Sequence, residues 1–241
     1  MTLPRGDVSK FRAGPKLIEE RRPGMTQARG DVPAVLKDRN PAQSTSSSSL
    51  PNGKDLFEVR FHGRGGQGTV VASVLLAEAA FLEGRGVQAF PFFGVERRGA
   101  PVTAYTRIGL GPVRLACAVD RPDALVVMDS SLLSSLRGKW ESGLRPGGHV
   151  LLNSTRVPTE LSGLPAETKP RNIDAAAIAR KHGLGSAASP LVNTAILGAF
   201  ARLTGLVQFP ALEKAIRSRV PAQVEENLAA AREAWDLMGA P

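Results

Sequence analysis

Residues 57–82 decide the fold, and they read FEVRFHGRGGQGTVVASVLLAEAAFL. Phe57 to His62 predicts a short strand, and the apolar segment from Val70 to Leu82 is long enough for a buried helix. The glycine-rich run GRGGQGT lies directly between them. The stretch therefore predicts a β-loop-α unit.

Further strand signals follow along the chain. Residues 87–92, VQAFPF, predict a second strand, and Val102 to Cys117 predicts two strands joined by a turn at residues 109–112. Residues 123–129, DALVVMD, form a continuous apolar run of the kind found in buried parallel strands, and residues 147–153, GGHVLLN, repeat that pattern.

Helix signals alternate with these strands and dominate the C-terminal third. Asp129-Ser130-Ser131 is placed to cap a helix after the apolar run. Two later segments keep apolar residues at helical spacing; these residues are Val192, Ala195, Ile196, Ala199, Phe200 and Leu203, then Val224, Leu228, Ala231, Trp235 and Met238. Alternating strands and helices predict an α/β sandwich with a mainly parallel sheet and a helical C-terminal third.

The first glycine cluster is the sharpest local signal. Gly63, Gly65 and Gly68 match G-x-G-x-x-G between a strand and a helix, where backbone amides can receive a phosphate or a carboxylate. In a dinucleotide-binding site, an acidic residue about 20 residues after the glycine motif binds the ribose, and residues 87–93 contain no such residue. A nucleotide-hydrolysing loop would need Lys where Gly68 stands. The alternative, in which the glycines only permit a tight turn against another surface, stays open.

A second cluster, AFPFFGVERRGAPV, occupies residues 89–102. Its prolines and glycines favour a shaped loop over regular structure. Arg97 and Arg98 on such a loop can grip phosphate or carboxylate groups, or they can pair with acids across a subunit interface. The aromatic residues Phe90, Phe92 and Phe93 favour an interface.

Composition narrows the functional classes. The chain has 241 residues and 31 Lys and Arg against 22 Asp and Glu, a net charge of +9, which fits a nucleic-acid binder or a subunit that faces acidic partners. Cys117 is the only cysteine, and the three histidines are far apart in sequence, so we expect no metal site on this chain alone. There is no apolar signal sequence and no run of about 18 apolar residues, so we expect a cytoplasmic protein without membrane spans.

Residues 1–55 differ in character from the remainder. They hold ten Lys or Arg against six acids, a charge of +4, and they contain the polar run AQSTSSSS at residues 42–49. We predict a basic N-terminal arm and Ser-rich linker over 1–55, followed by one α/β domain over 56–241. The arm is either a solvated tail or a segment laid on a partner.

The two loops and their surroundings resemble a known family. Residues 63–108, GRGGQGTVVASVLLAEAAFLEGRGVQAFPFFGVERRGAPVTAYTRI, together with PDALVVMD at 122–129 and NTAILGAFARLTG at 193–205, closely resemble the gamma subunit of 2-oxoacid:ferredoxin oxidoreductases of the pyruvate type. The resemblance covers roughly residues 57–238 and excludes the arm. It implies a Rossmann-like three-layer fold.

The resemblance also implies a reaction carried by several chains. A complex of this family uses thiamine diphosphate with Mg²⁺ and 4Fe–4S clusters to convert a 2-oxoacid and coenzyme A into an acyl-CoA, with ferredoxin as the electron acceptor. The partners implied are alpha, beta and delta-type subunits, and neither nucleic acid nor membrane is among them. The gamma chain is implied to be required but inactive alone, and to help form the coenzyme A entrance. This sequence agrees, since one cysteine cannot hold a cluster.

Two loops carry the family's motifs. Its first loop matches Gly63, Arg64, Gly65, Gly66, Gln67 and Gly68, and its second matches Glu96, Arg97, Arg98, Gly99, Ala100 and Pro101. We expect both at the carboxyl edge of the sheet, where they either contact a neighbouring subunit, which we favour, or orient charged groups of coenzyme A. Asn193 and Thr194 match a helix-start motif, and we expect them to cap or pack that helix.

One enzymatic alternative remains from the residues alone. A free-standing NADP-binding Rossmann oxidoreductase could use Arg97 and Arg98 for the 2′-phosphate in place of the missing acid. It needs a catalytic acid or base near the loops, and none of the three histidines is obviously placed there.

Overall fold

The computed structural model describes residues 49–51, 53–92, 99–115, 117–158, 161, 163–168 and 170–239. Residues 1–48 of the predicted arm and residues Glu96, Arg97 and Arg98 of the second loop lie outside the described residues. The statements on structure below concern the described part.

The described residues form six strands and six helices, of which the strand at 170–173 and the helix at 175–181 have no counterpart among the elements that the sequence predicts. The strands are β1 (Leu56–Arg64), β2 (Gly86–Phe92), β3 (Pro101–Gly109), β4 (Ala124–Val127), β5 (His149–Asn153) and β6 (Pro170–Ile173). The helices are α1 (Thr69–Leu82), α2 (Leu132–Ser135), α3 (Ala175–Lys181), α4 (Asn193–Thr204), α5 (Phe209–Arg219) and α6 (Val224–Met238). None of these helices is long and apolar enough to cross a membrane, within the ranges that the structure describes.

The strands form one mixed sheet in the order β2-β3-β1-β4-β5-β6. β1, β4, β5 and β6 pair in parallel, while β3 pairs antiparallel with both β1 and β2. Five strands therefore share one direction and only β3 opposes them. The predicted α/β class with a mainly parallel sheet and a helical C-terminal third is confirmed.

One face of the sheet carries the larger core. Alternate β1 side chains, including Phe57 and Phe61, enter it together with α1 and α3 to α6. Phe61 lies against Phe200 of α4, with ring centroids 6.3 Å apart. α1 packs against α5 and the β2–β3 pair, while α4 packs along α6. Ten of the fourteen α1 residues are buried, so this helix is enclosed over most of its circumference rather than along one stripe, although Val71 and Leu82 are exposed.

The opposite face combines a smaller apolar cluster with buried arginines. Trp140 and Leu132 cover the apolar side chains of β4 and β5. On β3, Arg107 is only 1% exposed, and its Nε donates to Glu58 Oε1 at 2.8 Å. Arg60 on β1 donates to the carbonyl oxygens of Val119 and Trp140. Strand alternation places these polar residues opposite the larger core.

The prediction of a second strand before Cys117 is wrong. β3 ends at Gly109, and residues 113–115 and 117–118 form no strand. Instead, the Arg107 guanidinium donates hydrogen bonds to the carbonyl oxygens of Leu115, Cys117 and Ala118 at 3.2, 2.8 and 3.0 Å. This side chain satisfies backbone acceptors that a strand would have paired in a ladder.

The segment just before β1 is packed. Leu50 is 2% exposed and belongs to the larger core, and Lys54 pairs with Asp123 at 3.3 Å. The carbonyl of Asp55 accepts a hydrogen bond from Leu110 N at 3.0 Å. These contacts lie within the linker proposed from the sequence, and the boundary between residues 55 and 56 stays a prediction.

We expect Gly198→Ala to destabilise the domain. A Cβ at Gly198 would lie 1.9 Å from the Ala231 carbonyl oxygen, so α4 and α6 would have to separate. Alanine normally stabilises a helix relative to glycine, but overpacking costs about 1–3 kcal/mol. Urea unfolding measures the change. Gly111→Ala, at an open position, is the matched control and leaves the midpoint unchanged; a stabilised Gly198→Ala would contradict the crossing described here.

We expect His62 to contribute to acid sensitivity. Burial, reinforced by the charge of Arg60, lowers the pKa of His62 to about 3. As the pH falls, the unfolded state takes up this proton near pH 6.5 and the folded state only near pH 3. The free energy of unfolding therefore decreases by about 1.4 kcal/mol for each pH unit by which the pH falls between those values. His62→Leu should flatten the dependence of the unfolding free energy on pH by about that slope. Equal slopes in the two proteins would show that His62 does not contribute.

Candidate functional site

The carboxyl edge of the sheet gathers several loops. The turn after β1 spans residues 65–68, the connection from β2 returns at Gly99 to begin β3, and residues 129–131 follow β4. β3 runs against β1, so its start and the end of β1 meet, with Arg64 opposite Pro101. The expectation that both motifs lie at one edge is met for the residues of each that the structure describes.

Backbone hydrogen bonds join the two loops directly. Gly65 N donates to Ala100 O at 2.9 Å, and Gly99 N donates to Gly65 O at 3.1 Å. Arg64 Nη1 adds a third bond, to Gly99 O at 3.0 Å. The described end of the second loop is therefore held against the first by main-chain and side-chain contacts.

Asp129 connects the first loop to the end of β4. Its Oδ2 accepts a hydrogen bond from Gln67 Nε2 at 2.8 Å and lies 3.3 Å from Arg64 Nε. Its Oδ1 accepts from Ser131 N at 3.0 Å and from the Ser131 hydroxyl. Burial raises the pKa of this carboxyl, but the bonds from Ser131 and Gln67 and the Arg64 charge outweigh burial and hold the pKa below its usual value.

The guanidinium group of Arg64 forms hydrogen bonds with other residues of the site. Nε and Nη2 both donate to Ser131 Oγ, at 3.1 and 2.7 Å, while Nη1 reaches Gly99. Its side chain is 29% exposed, and Asp129 balances its charge. Arg64 therefore joins the first loop to Gly99 and to the residues that follow β4.

Two motif glycines are required by packing. A Cβ at Gly63 would lie 2.1 Å from Thr69 Oγ1, and a Cβ at Gly68 would lie 2.7 Å from Asn193 Nδ2. Gly68 also has φ of 79°, a left-handed conformation that favours glycine. These contacts bring the starts of α1 and α4 together, and they favour the tight-turn interpretation of these two glycines.

The donors of the first loop are partly used within it. Gly65 N bonds Ala100, Gln67 N bonds Arg64 O at 3.1 Å, and Gln67 Oε1 accepts from Arg64 N at 2.8 Å. Gly66 is exposed at the tip with φ of 98°. The described atoms make a rigid surface more than a cradle of free amides.

The helix-start pair on α4 has a packing role, as expected. Asn193 Oδ1 accepts from Thr194 N at 3.0 Å, and Thr194 Oγ1 donates to Asn227 Oδ1 of α6 at 2.8 Å. Asn193 itself lies against Gly68. These residues join α4 to α6 and to the first loop.

The structure brings together six residues of the first loop with Gly99, and it adds two that the sequence did not place there. Asp129 and Ser131 were assigned only to a helix cap, although their position after a buried parallel strand marks the same edge. Among the described residues, no group of three or more His, Cys, Asp or Glu is arranged to hold a metal ion. The roles of Glu96, Arg97 and Arg98 stay predictions.

Comparison with known proteins shows which protein family this chain resembles. The family model described as pyruvate ferredoxin/flavodoxin oxidoreductase matches residues 58–237. The common gamma subunit of the pyruvate/ketoisovalerate oxidoreductases of Pyrococcus furiosus is 48% identical over 185 residues, covering 75% of this chain and 96% of the relative. Pyruvate synthase subunit PorC of Methanothermobacter marburgensis is 46% identical over 184 residues, covering 76% and 98%.

A solved structure agrees with these relatives. The crystal structure of pyruvate oxidoreductase subunit PORC of Thermotoga maritima superposes with a TM-score of 0.64 and 37% identity, covering 76% of this chain and 97% of that one. The match spans the loops and the sheet described above, and it leaves the first 57 residues outside the family model. The chain therefore belongs to the pyruvate ferredoxin/flavodoxin oxidoreductase family, as a subunit of its gamma type.

Proposed function

We propose that this chain is a required but non-catalytic gamma subunit of a cytoplasmic 2-oxoacid oxidoreductase that acts on pyruvate or a similar acid. Alpha, beta and delta-type subunits carry thiamine diphosphate, Mg²⁺ and 4Fe–4S clusters. The complex breaks the bond between the carboxyl and oxo carbons, releases carbon dioxide, joins the acyl group to the sulfur of coenzyme A as a thioester with loss of the thiol proton, and passes the two electrons singly to two oxidised ferredoxin equivalents. The gamma chain supplies a contact surface beside the coenzyme A entrance.

The observation that carries this proposal is the set of hydrogen bonds that join the loops at the carboxyl edge of the sheet. Gly65 N donates to Ala100 O and Gly99 N donates to Gly65 O, while Arg64 and Asp129 join these residues to the end of β4. A surface on which many of the donors and charges already have partners suits docking of another chain better than catalysis. Pre-organised loops also lower the entropic cost of association.

The cysteine and two of the histidines support a non-catalytic role for this chain. Cys117, the single cysteine, is exposed and cannot bind a cluster without other ligands. His182 pairs with Glu233 at the end of α3, 2.7 Å apart, and His62 is buried under the second face with a pKa of about 3. His182 is thus paired and His62 enclosed within the domain.

By sequence, Arg97 and Arg98 directly precede Gly99, which lies at the carboxyl edge. Arg64, the described arginine of the first loop, is paired with Asp129. We propose pairing with acidic residues of a neighbouring subunit as their main role and contact with anionic groups of coenzyme A as a second one.

Co-expression tests the function. The full chain produced with its neighbouring subunits should enter a complex that reduces ferredoxin or viologen when a 2-oxoacid and coenzyme A are added. The same preparation without this chain should lose that activity. A stable monomer that ignores those subunits would overturn the proposal.

Replacing both loop arginines separates their two roles. We expect Arg97→Ala with Arg98→Ala to release the chain from the complex at lower salt, weakening its binding by about tenfold or more. Arg217→Ala is the control, because Arg217 pairs within the domain with Glu213 and Glu225. An intact complex with a raised KM for coenzyme A would instead favour the ligand role, and no change in either would remove both.

A further inference from the structure

We propose that Asp129 is a positioning residue that, through Gln67 and Arg64, holds Gly99 and Ala100, the residues that lead into β3, against the first loop. What the neighbouring residues Arg97 and Arg98 contact, a partner subunit or coenzyme A, rests on the proposed function. The positioning of Gly99 and Ala100 rests on contacts within this chain.

The two carboxylate oxygens have separate tasks. Oδ1 forms a local turn, accepting from the amide and hydroxyl of Ser131, which precedes α2. Oδ2 faces a distant part of the chain, accepting from Gln67 Nε2 at 2.8 Å and lying 3.3 Å from Arg64 Nε. A residue that only capped a turn would need the first oxygen alone.

Contacts lead from Asp129 to the second loop without a gap. Arg64 is held by Asp129 and by Ser131, and its Nη1 donates to Gly99 O at 3.0 Å. Beside it, Gly99 N donates to Gly65 O at 3.1 Å. Gly99 directly follows Arg98 in the sequence, so this chain of contacts fixes the described residue next to the two loop arginines.

The chemistry requires a carboxylate at residue 129. Gln67 is fixed in one orientation, because its Oε1 accepts from Arg64 N at 2.8 Å while its Nε2 must donate. In one orientation, the NH2 group of an asparagine at residue 129 would face the donors Gln67 Nε2 and Arg64 Nε. In the other orientation it would face Ser131 N, and the hydrogen bond from that amide would be lost. Either outcome removes one of the two tasks.

A matched residue isolates the local task. Asp174 caps α3, and its Oδ1 accepts from Ala177 N at 2.8 Å. Asparagine caps helices as well as aspartate does. Asp174→Asn therefore serves as the control for Asp129→Asn, with the same change of charge and shape.

Hydrogen exchange on the full chain reads out the positioning. Gly65 and Gly99 donate the amides that join the loops. We expect Asp129→Asn to speed exchange at these amides by about tenfold or more, while Asp174→Asn changes only the first turn of α3. Faster exchange confined to residues 130–136 would show a purely local role and overturn the proposal.

An exchanged pair gives the decisive rescue. Asp129→Asn combined with Gln67→Glu keeps the net charge, and it restores a donor at 129 facing an acceptor at 67 that still accepts from Arg64 N. We expect this double variant to regain slow exchange at Gly65 and Gly99, whereas Gln67→Glu alone, with two facing carboxylates, exchanges fast. A double variant no better than Asp129→Asn would count against the proposal.

Two further measurements guard the result. If Asp129→Asn fails to fold, Gln67→Glu serves instead, because it loses the donor to Asp129, still accepts from Arg64 N, leaves the turn at Ser131 intact and should show the same faster exchange. In the assembled complex, Asp129→Asn should shift salt resistance or the KM for coenzyme A in the same direction as the Arg97 and Arg98 variants, with kcat less affected. A wild-type chain that fails to assemble overturns the proposed function, while exchange at Gly65 and Gly99 decides the positioning role separately.

Discussion

The close approach of β1, α1 and α4 is the constraint on which the rest of the carboxyl edge depends. Thr69 and Asn193 occupy the space that side chains at Gly63 and Gly68 would need. With α1 held this close to the sheet, the turn at residues 65–68 is short enough for Gln67 to reach Asp129 and for Gly65 to meet Ala100. The glycines thus act through the positions of other residues rather than through a ligand of their own.

The opposite side of the sheet is held by a different kind of interaction. A buried charge is costly unless hydrogen bonds and a counter-charge replace water. Arg107 has both, from Glu58 and from the carbonyl oxygens of residues 115, 117 and 118, while Arg60 organises residues 119, 140 and 142. Two side chains therefore fasten irregular backbone where other α/β proteins place a helix.

The order of strands and helices could be predicted because it depends on local apolar patterns. The error before Cys117 has the opposite origin, since whether residues 113–118 form a strand is decided by Arg107 on another part of the sheet, and no local pattern shows that contact. Asp129 illustrates the same limit. Its turn with Ser131 is visible in the sequence, whereas its bond to Gln67 spans 62 residues and depends on β1 lying beside β4.

The crossing of α4 and α6 has a consequence for synthesis of the chain. β1 precedes both of its sheet neighbours, β3 and β4, and α4 precedes α6, so each of these elements is made before the elements that cover it. The face of α4 at Gly198 packs against Ala231 of α6. Because α6 follows α4 in the sequence, a nascent chain leaves this face of α4 without its α6 partner until α6 has emerged from the ribosome.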